Sequence, residues 1–163
     1  MDRMPSFTYQ RFQSRADARS AFDTAIESAT NRIALFERDG DFYGLDRPLV
    51  AERLGGLLRA SPDNRVDIVV QRTHFIQRDC PRLMMLVQRF GSRLSICRLK
   101  PEFATFERGF ALIDKVVVLR RPHFDRSVVF WDVDDQQIAG ANRLFQDLLD
   151  NCEPPLSVPV TGL

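Results

Sequence analysis

The fifteen residues Glu107–Arg121, Glu-Arg-Gly-Phe-Ala-Leu-Ile-Asp-Lys-Val-Val-Val-Leu-Arg-Arg, decide how this chain is read. Apolar and β-branched residues run continuously on both sides of the polar pair Asp114-Lys115. That pattern predicts two short strands, Phe110–Ile113 and Val116–Leu119, folded into a hairpin. Upstream of it, Arg32–Phe36, Arg65–Val70 and Leu94–Leu99 are short apolar runs of the kind that form buried strands, and Ser6–Tyr9 is a candidate edge strand. Between them lie amphipathic helices. Ser14 with Asp17 opens the first, which carries Ala18, Ala21, Phe22, Ala25, Ile26 and Ala29 at helical spacing. Asp46 and Pro48 open the second, with Val50, Leu54, Leu57 and Leu58 as its stripe. After a polar loop holding Arg72, His74 and Arg78, Asp79 is expected to cap a third helix that ends at Gly91. Downstream of the hairpin, a strand at Val128–Asp132 precedes a final helix capped by Asp134 or Asp135, with Ile138, Ala141, Phe145, Leu148, Leu149 and Cys152 on one face.

Strand and helix alternate over the first hundred residues, then strands follow one another directly. This order predicts an α/β fold with a mixed, largely parallel sheet and helices on both faces. One domain is expected over 1–163, with its core at about 14–150 and an extended tail over 153–163, where three prolines and a glycine exclude a helix.

The hairpin and its surroundings resemble the phospholipase D superfamily, in the segment that carries H-x-K-x-x-x-x-D, and the element order over about Ser14–Asp150 is that of one such repeat. Aligning Asp114 with the Asp of that motif puts Glu107 in the place of the His and Gly109 in the place of the Lys. The resemblance implies a His nucleophile that attacks phosphorus, a Lys that holds the phosphoryl oxygens and an Asp that orients a His. Here the first two are missing. A carboxylate repels a phosphodiester and forms a labile mixed anhydride, and glycine supplies no charge, so the family's chemistry is not expected. The only histidines, His74 and His123, belong to no second H-x-K. Asp114 is then expected to be a turn residue whose carboxylate accepts local backbone N–H groups. Single-repeat members of the family join two copies around a shared cleft, so the resemblance also implies a homodimer.

A net charge of +1 conceals an uneven distribution. Residues 71–126 hold 12 Lys or Arg against 5 Asp or Glu, and the rest of the chain is correspondingly acidic. Of the 23 basic residues all but Lys100 and Lys115 are Arg, which suits bidentate recognition of phosphate but is equally the signature of a GC-rich genome. Cys80, Cys97 and Cys152 have neither disulfide-framework nor zinc-site spacing. No metal and no cofactor is expected. No apolar run is long enough to span a bilayer and the first residues lack a signal-peptide core, so the expected location is cytoplasmic.

Two functional readings follow. In the first, the chain is a noncatalytic binding or scaffold domain that recognises a phosphate-bearing ligand or a partner protein, with nucleic acid among the candidates. Its basic loops supply Arg72, Arg120, Arg121 and His123. In the second, it is an enzyme of another reaction class, a hydrolase or phosphoryl-transfer enzyme, using His74 and Asp39 at the carboxyl edge of the sheet together with Asp114. The missing His and Lys favour the first.

Overall fold

The computed structural model describes residues Tyr9–Val158. Its order is β1 (Tyr9–Phe12), α1 (Arg15–Glu27), β2 (Arg32–Glu37), α2 (Pro48–Ala60), β3 (Arg65–Val70), α3 (His74–Asp79), α4 (Pro81–Phe90), β4 (Leu94–Arg98), β5 (Gly109–Ile113), β6 (Val117–Arg121), β7 (Val129–Asp132) and α5 (Asp135–Leu149). Of the expected edge strand at Ser6–Tyr9, residues 6–8 lie outside the described residues, as do residues 159–163 of the tail.

All seven strands form one sheet in the order β1-β7-β6-β5-β2-β3-β4. The mixed α/β sheet is as expected, but its parallel share is smaller. Only β2–β3 and β3–β4 are parallel, and the other four ladders are antiparallel. The reason lies in the connections. Helical crossovers join β2 to β3 and β3 to β4. After β4 the chain passes over to the free side of β2, where β5 pairs antiparallel, and hairpins then extend the sheet outward.

Helices cover both faces. Ala18, Phe22 and Ile26 of α1, Val50, Leu54 and Leu58 of α2, Ile76 of α3 and Leu83 and Val87 of α4 pack on Ile33, Leu35, Val66, Ile68, Ala111 and Leu119. On the opposite face Ile138, Phe145 and Leu148 of α5 meet Ala34, Phe36, Val69, Phe110, Leu112 and Val118. Alternate residues of β2 and β5 thus serve two cores, which is why these runs read as continuously apolar.

Three local assignments change. Ser14 caps α1 as expected, its Oγ accepting the Asp17 N–H at 3.0 Å. Asp46 does not cap α2, whose N-cap is Arg47 without a side-chain bond. Its carboxylate accepts the Arg82 N–H at 2.8 Å instead, so it serves the first turn of α4, 36 residues on. The stretch expected to be a polar loop through His74 and Arg78 is the short helix α3. Pro81, which cannot donate within a helix, ends it and restarts the chain as α4 with Cys80, not Asp79, at the cap. The tail, expected to lie on the surface, has a defined course. Cys152 forms an antiparallel bridge with Leu99, the Glu153 N–H donates to Arg98 C=O at 2.8 Å and the Leu156 N–H to Ile96 C=O at 2.7 Å, which covers the outer edge of β4.

Candidate functional site

The hairpin turn is built as its residues dictate. Asp114 and Lys115 have φ of 52° and 58°, and the Val116 N–H donates to Ile113 C=O at 2.9 Å, as a primed turn requires. The Asp114 carboxylate accepts the backbone N–H groups of Thr30, Asn31 and Arg32 at 2.8, 2.8 and 2.7 Å, and the Thr30 hydroxyl at 3.2 Å. It accepts backbone donors as expected, but from a loop more than eighty residues away rather than from its own turn. Partial burial opposes its charge; the bonds from Arg32, Thr30 and Asn31 outweigh this and hold its carboxyl below the ordinary range.

That position separates Asp114 from the other candidates. Ile113 pairs with Ile33, so Asp114 lies beside the start of β2, whereas Asp39 follows its end. The five residue steps of β2 span roughly 17 Å at ~3.3 Å each. The expected meeting of Asp39, His74 and Asp114 is therefore not made. Asp39 accepts the Asp41 N–H at 2.9 Å, and His74, exposed at the start of α3, contacts Arg78 through Nε2 at 3.3 Å. Both engage their own loops.

The end of β2 holds a charge pair that the sequence did not disclose. Glu37 and Arg121 are both buried, and Arg121 Nη1 donates to Glu37 Oε1 at 2.5 Å. The same guanidinium donates to the carbonyls of Phe124 at 2.5 Å and Arg126 at 3.2 Å and lies 3.6 Å from the centroid of Phe42. Arg121 thus belongs to the interior and not to the solvent-facing loop where it was expected. Among the described residues, the second oxygen of Glu37 has no hydrogen-bond partner, nor has the hydroxyl of fully buried Tyr43. Burial pushes the Glu37 carboxyl up to about 7, against the opposing pull of Arg121. The apolar run Ile33–Phe36 reads as a complete strand, so Glu37 passes for its polar end; its burial follows from what β5 places beside it.

That neighbour is Gly109. Phe36 pairs with Phe110, so Gly109 sits one step beyond, next to Glu37. A Cβ at Gly109 would collide with Glu37 Oε2 and fall 2.7 Å from the Phe36 carbonyl oxygen and 2.8 Å from the Phe124 ring. The space that a side chain at this position would use is filled. Glu107 is exposed, and its carbonyl accepts the Phe124 N–H at 2.7 Å.

Arg120 faces the other way, toward α5. Its Nε and Nη2 reach Asp132 Oδ2 at 3.2 and 3.1 Å, and it lies over Phe130. It lines an open cleft of about 430 Å³ with Arg108, Phe110, His123, Gln137 and Leu144. The floor is apolar and the rim is cationic. Arg72, Arg108 and Arg126 are exposed and have no carboxylate partner among the described residues, whereas Arg78, Arg82 and Arg98 are paired with Asp79, Asp46 and Glu153. Six of the seven sequence-derived candidates, Asp39, Arg72, His74, Arg120, Arg121 and His123, thus lie toward the edge of the sheet where β2 and β3 end, and Asp114 lies at the other. Among the described residues, no cluster of three or more His, Cys, Asp or Glu is arranged to hold a metal ion, and no helix is long and apolar enough to cross a membrane.

The mixed seven-stranded sheet with α5 alone on one face is a phospholipase D-like fold, shared with solved members of that family. More particularly, residues 14–154 match the family described as a domain of unknown function, DUF7931, and the chain belongs to it. Nuc from Salmonella typhimurium, a phospholipase D family member, superposes with a TM-score of 0.60 at 14% identity over 93% of this chain and 99% of its own. NucT from Helicobacter pylori gives 0.64 at 16% identity, over 90% and 98%. The archaeal chromatin protein TrmBL2, whose structure shows a novel mode of DNA binding, gives 0.69 at 15% identity over 93% of this chain, which spans 55% of TrmBL2. No curated protein matches the sequence. Identities this low establish the fold alone.

Proposed function

We propose that this chain is a noncatalytic phospholipase D-like domain that binds a phosphate-bearing ligand at the basic sheet edge, with nucleic acid the foremost candidate. The observation that carries the first half is Gly109. The place of the family's lysine has no side chain, and the space beside it is taken by the Glu37 carboxylate, the Phe36 carbonyl and the Phe124 ring. Glu107, in the place of the histidine, adds a negative charge where a phosphodiester would have to approach.

For the second half, the support is Arg72, Arg108 and Arg126 on one edge, exposed and without a carboxylate partner among the described residues, with His123 beside the apolar cleft, and the likeness in fold to a DNA-binding chromatin protein. Arginines free of carboxylates keep their bidentate donors for phosphate oxygens. Arg120 and Arg121 contribute by shaping the edge, since their own charges are largely met by Asp132 and Glu37.

A labelled single-stranded oligonucleotide titrated at several salt concentrations tests both halves. Three phosphate contacts give a slope of about −2 in log affinity against log salt. Arg72→Ala with Arg108→Ala is expected to weaken binding and flatten that slope, and the bound oligonucleotide is expected to stay intact. Absence of binding at low ionic strength rejects the ligand class. Cleavage of the oligonucleotide, lost in Glu107→Gln, rejects the noncatalytic reading.

A further inference from the structure

Where the C-terminal segment meets β4, two cysteines come together. Cys97, on β4, points toward the face covered by α5 and is only 4% exposed, and Cys152, half-buried, follows the end of α5. The antiparallel bridge sets Cys152 opposite Leu99, and Leu99 and Cys97 share one face of the chain two residues apart. Cys152 is therefore the diagonal neighbour of Cys97. Flanking bonds hold the register: Lys100 N–H to Asn151 C=O at 3.0 Å and Glu153 N–H to Arg98 C=O at 2.8 Å. Both cysteines line one open cavity of about 580 Å³ beside Arg32, Arg65, Asp67 and Glu153, large enough to admit a small reactant. Each thiol also reaches a backbone carbonyl, Cys97 Sγ that of Ile68 at 3.9 Å and Cys152 Sγ that of Leu148 at 3.2 Å, and the proximity of the two thiols holds Cys97 below its ordinary range and Cys152 above it. Cys80, the remaining cysteine, is fully buried in the other core, where burial pushes its thiol up to about 12.

We propose that Cys97 and Cys152 are a reactive dithiol that exchanges with low-molecular-weight disulfides and closes an intramolecular disulfide, fastening the C-terminal segment to the edge of β4. The chemistry balances in two displacements. The Cys97 thiolate attacks one sulfur of the small disulfide RSSR, forming a mixed disulfide and releasing RS⁻. Cys152 loses its proton and attacks the Cys97 sulfur of that mixed disulfide, releasing the second RS⁻; the two protons leave with two RSH. The protein loses two electrons and the small disulfide gains them. Exchange of this kind needs access and a second thiol within reach, which the cavity and the Leu99–Cys152 bridge supply and the site of Cys80 does not.

The test uses the whole chain with oxidised glutathione as the reactant, followed by alkylation in denaturant and peptide mapping. The expected product loses two hydrogens, retains one alkylatable cysteine, and yields a cross-link between the peptides of Cys97 and Cys152. The closed loop of 55 residues is expected to raise Tm by roughly 10 °C. Cys152→Ser and Cys97→Ser each abolish the cross-link and the rise in Tm, and Cys80→Ser leaves both in place. A product that stops at the glutathione adduct, a cross-link that includes Cys80, or a cross-link that leaves Tm unchanged or lowered overturns the proposal.

Discussion

Replacing Glu37 by Gln isolates the most unusual titration in the molecule. Burial raises the folded-state carboxyl from an ordinary value of 4.5 to about 7. Between those two values the folded chain holds a proton that the unfolded chain has already lost, so stability from this group is fully present below pH ~4.5 and is lost as pH rises through ~7. At ~1.36 kcal/mol per pH unit, the span from 4.5 to about 7 corresponds to about 3 kcal/mol. Glutamine has the same shape and cannot ionise. Its amide oxygen still accepts from Arg121, and any fixed cost of the change is the same at every pH. The measurement is urea unfolding of both proteins from pH 4.5 to pH 8. The wild type is expected to lose about 3 kcal/mol relative to Glu37→Gln across that range. A difference that stays flat, or that grows in favour of the wild type with rising pH, refutes the argument and makes Glu37 an ordinary ionised partner of Arg121.

Arg121→Met strands the Glu37 carboxylate and is expected to cost about 3 kcal/mol at pH 8, where that group must ionise or hold a costly proton; adding Glu37→Met should recover most of the loss, because a buried pair is worth little more than apolar side chains of similar volume. Urea unfolding of the single and double variants measures both values. Gly109→Ala places a methyl group against backbone as well as side-chain atoms, and an overpacking cost of about 1–3 kcal/mol is expected from the same assay. The two-copy assembly of the resembled family predicts a dimer, so light scattering at tens of micromolar should give twice 18.8 kDa; a monomer mass rejects it.

Much of the fold was legible because periodicity and punctuation agree with it. The runs at Arg32, Arg65 and Leu94 are strands, Ser14 caps α1, and Asp114-Lys115 turns the hairpin. What was illegible depended on partners distant in sequence. Asp46 before Pro48 has every local mark of the α2 cap, yet the donor it meets is the Arg82 N–H of α4. The polar stretch after β3 hides the short helix α3 because a single turn and a half has too few apolar positions to display a period. The parallel share of the sheet was overestimated because element order does not say on which side of β2 the chain returns.

The candidate site was legible at the level of the edge and not of the contacts. Strand ends and loops pointed to six residues that lie toward one edge, but adjacent arginines there do opposite things. Arg120 and Arg121 alternate across β6, so one turns to α5 and Asp132 while the other enters the opposite core and meets Glu37. The same alternation ties Glu37 to Gly109. Both positions face the layer of α1 and α2 at neighbouring places on paired strands, and a side chain on one removes the room for the other. Restoring a lysine at 109 would therefore have to displace a buried ion pair as well as add a charge. Glu37, Gly109 and Arg121 act as one unit, and a lysine–histidine pair is recoverable only by changing all three with Glu107.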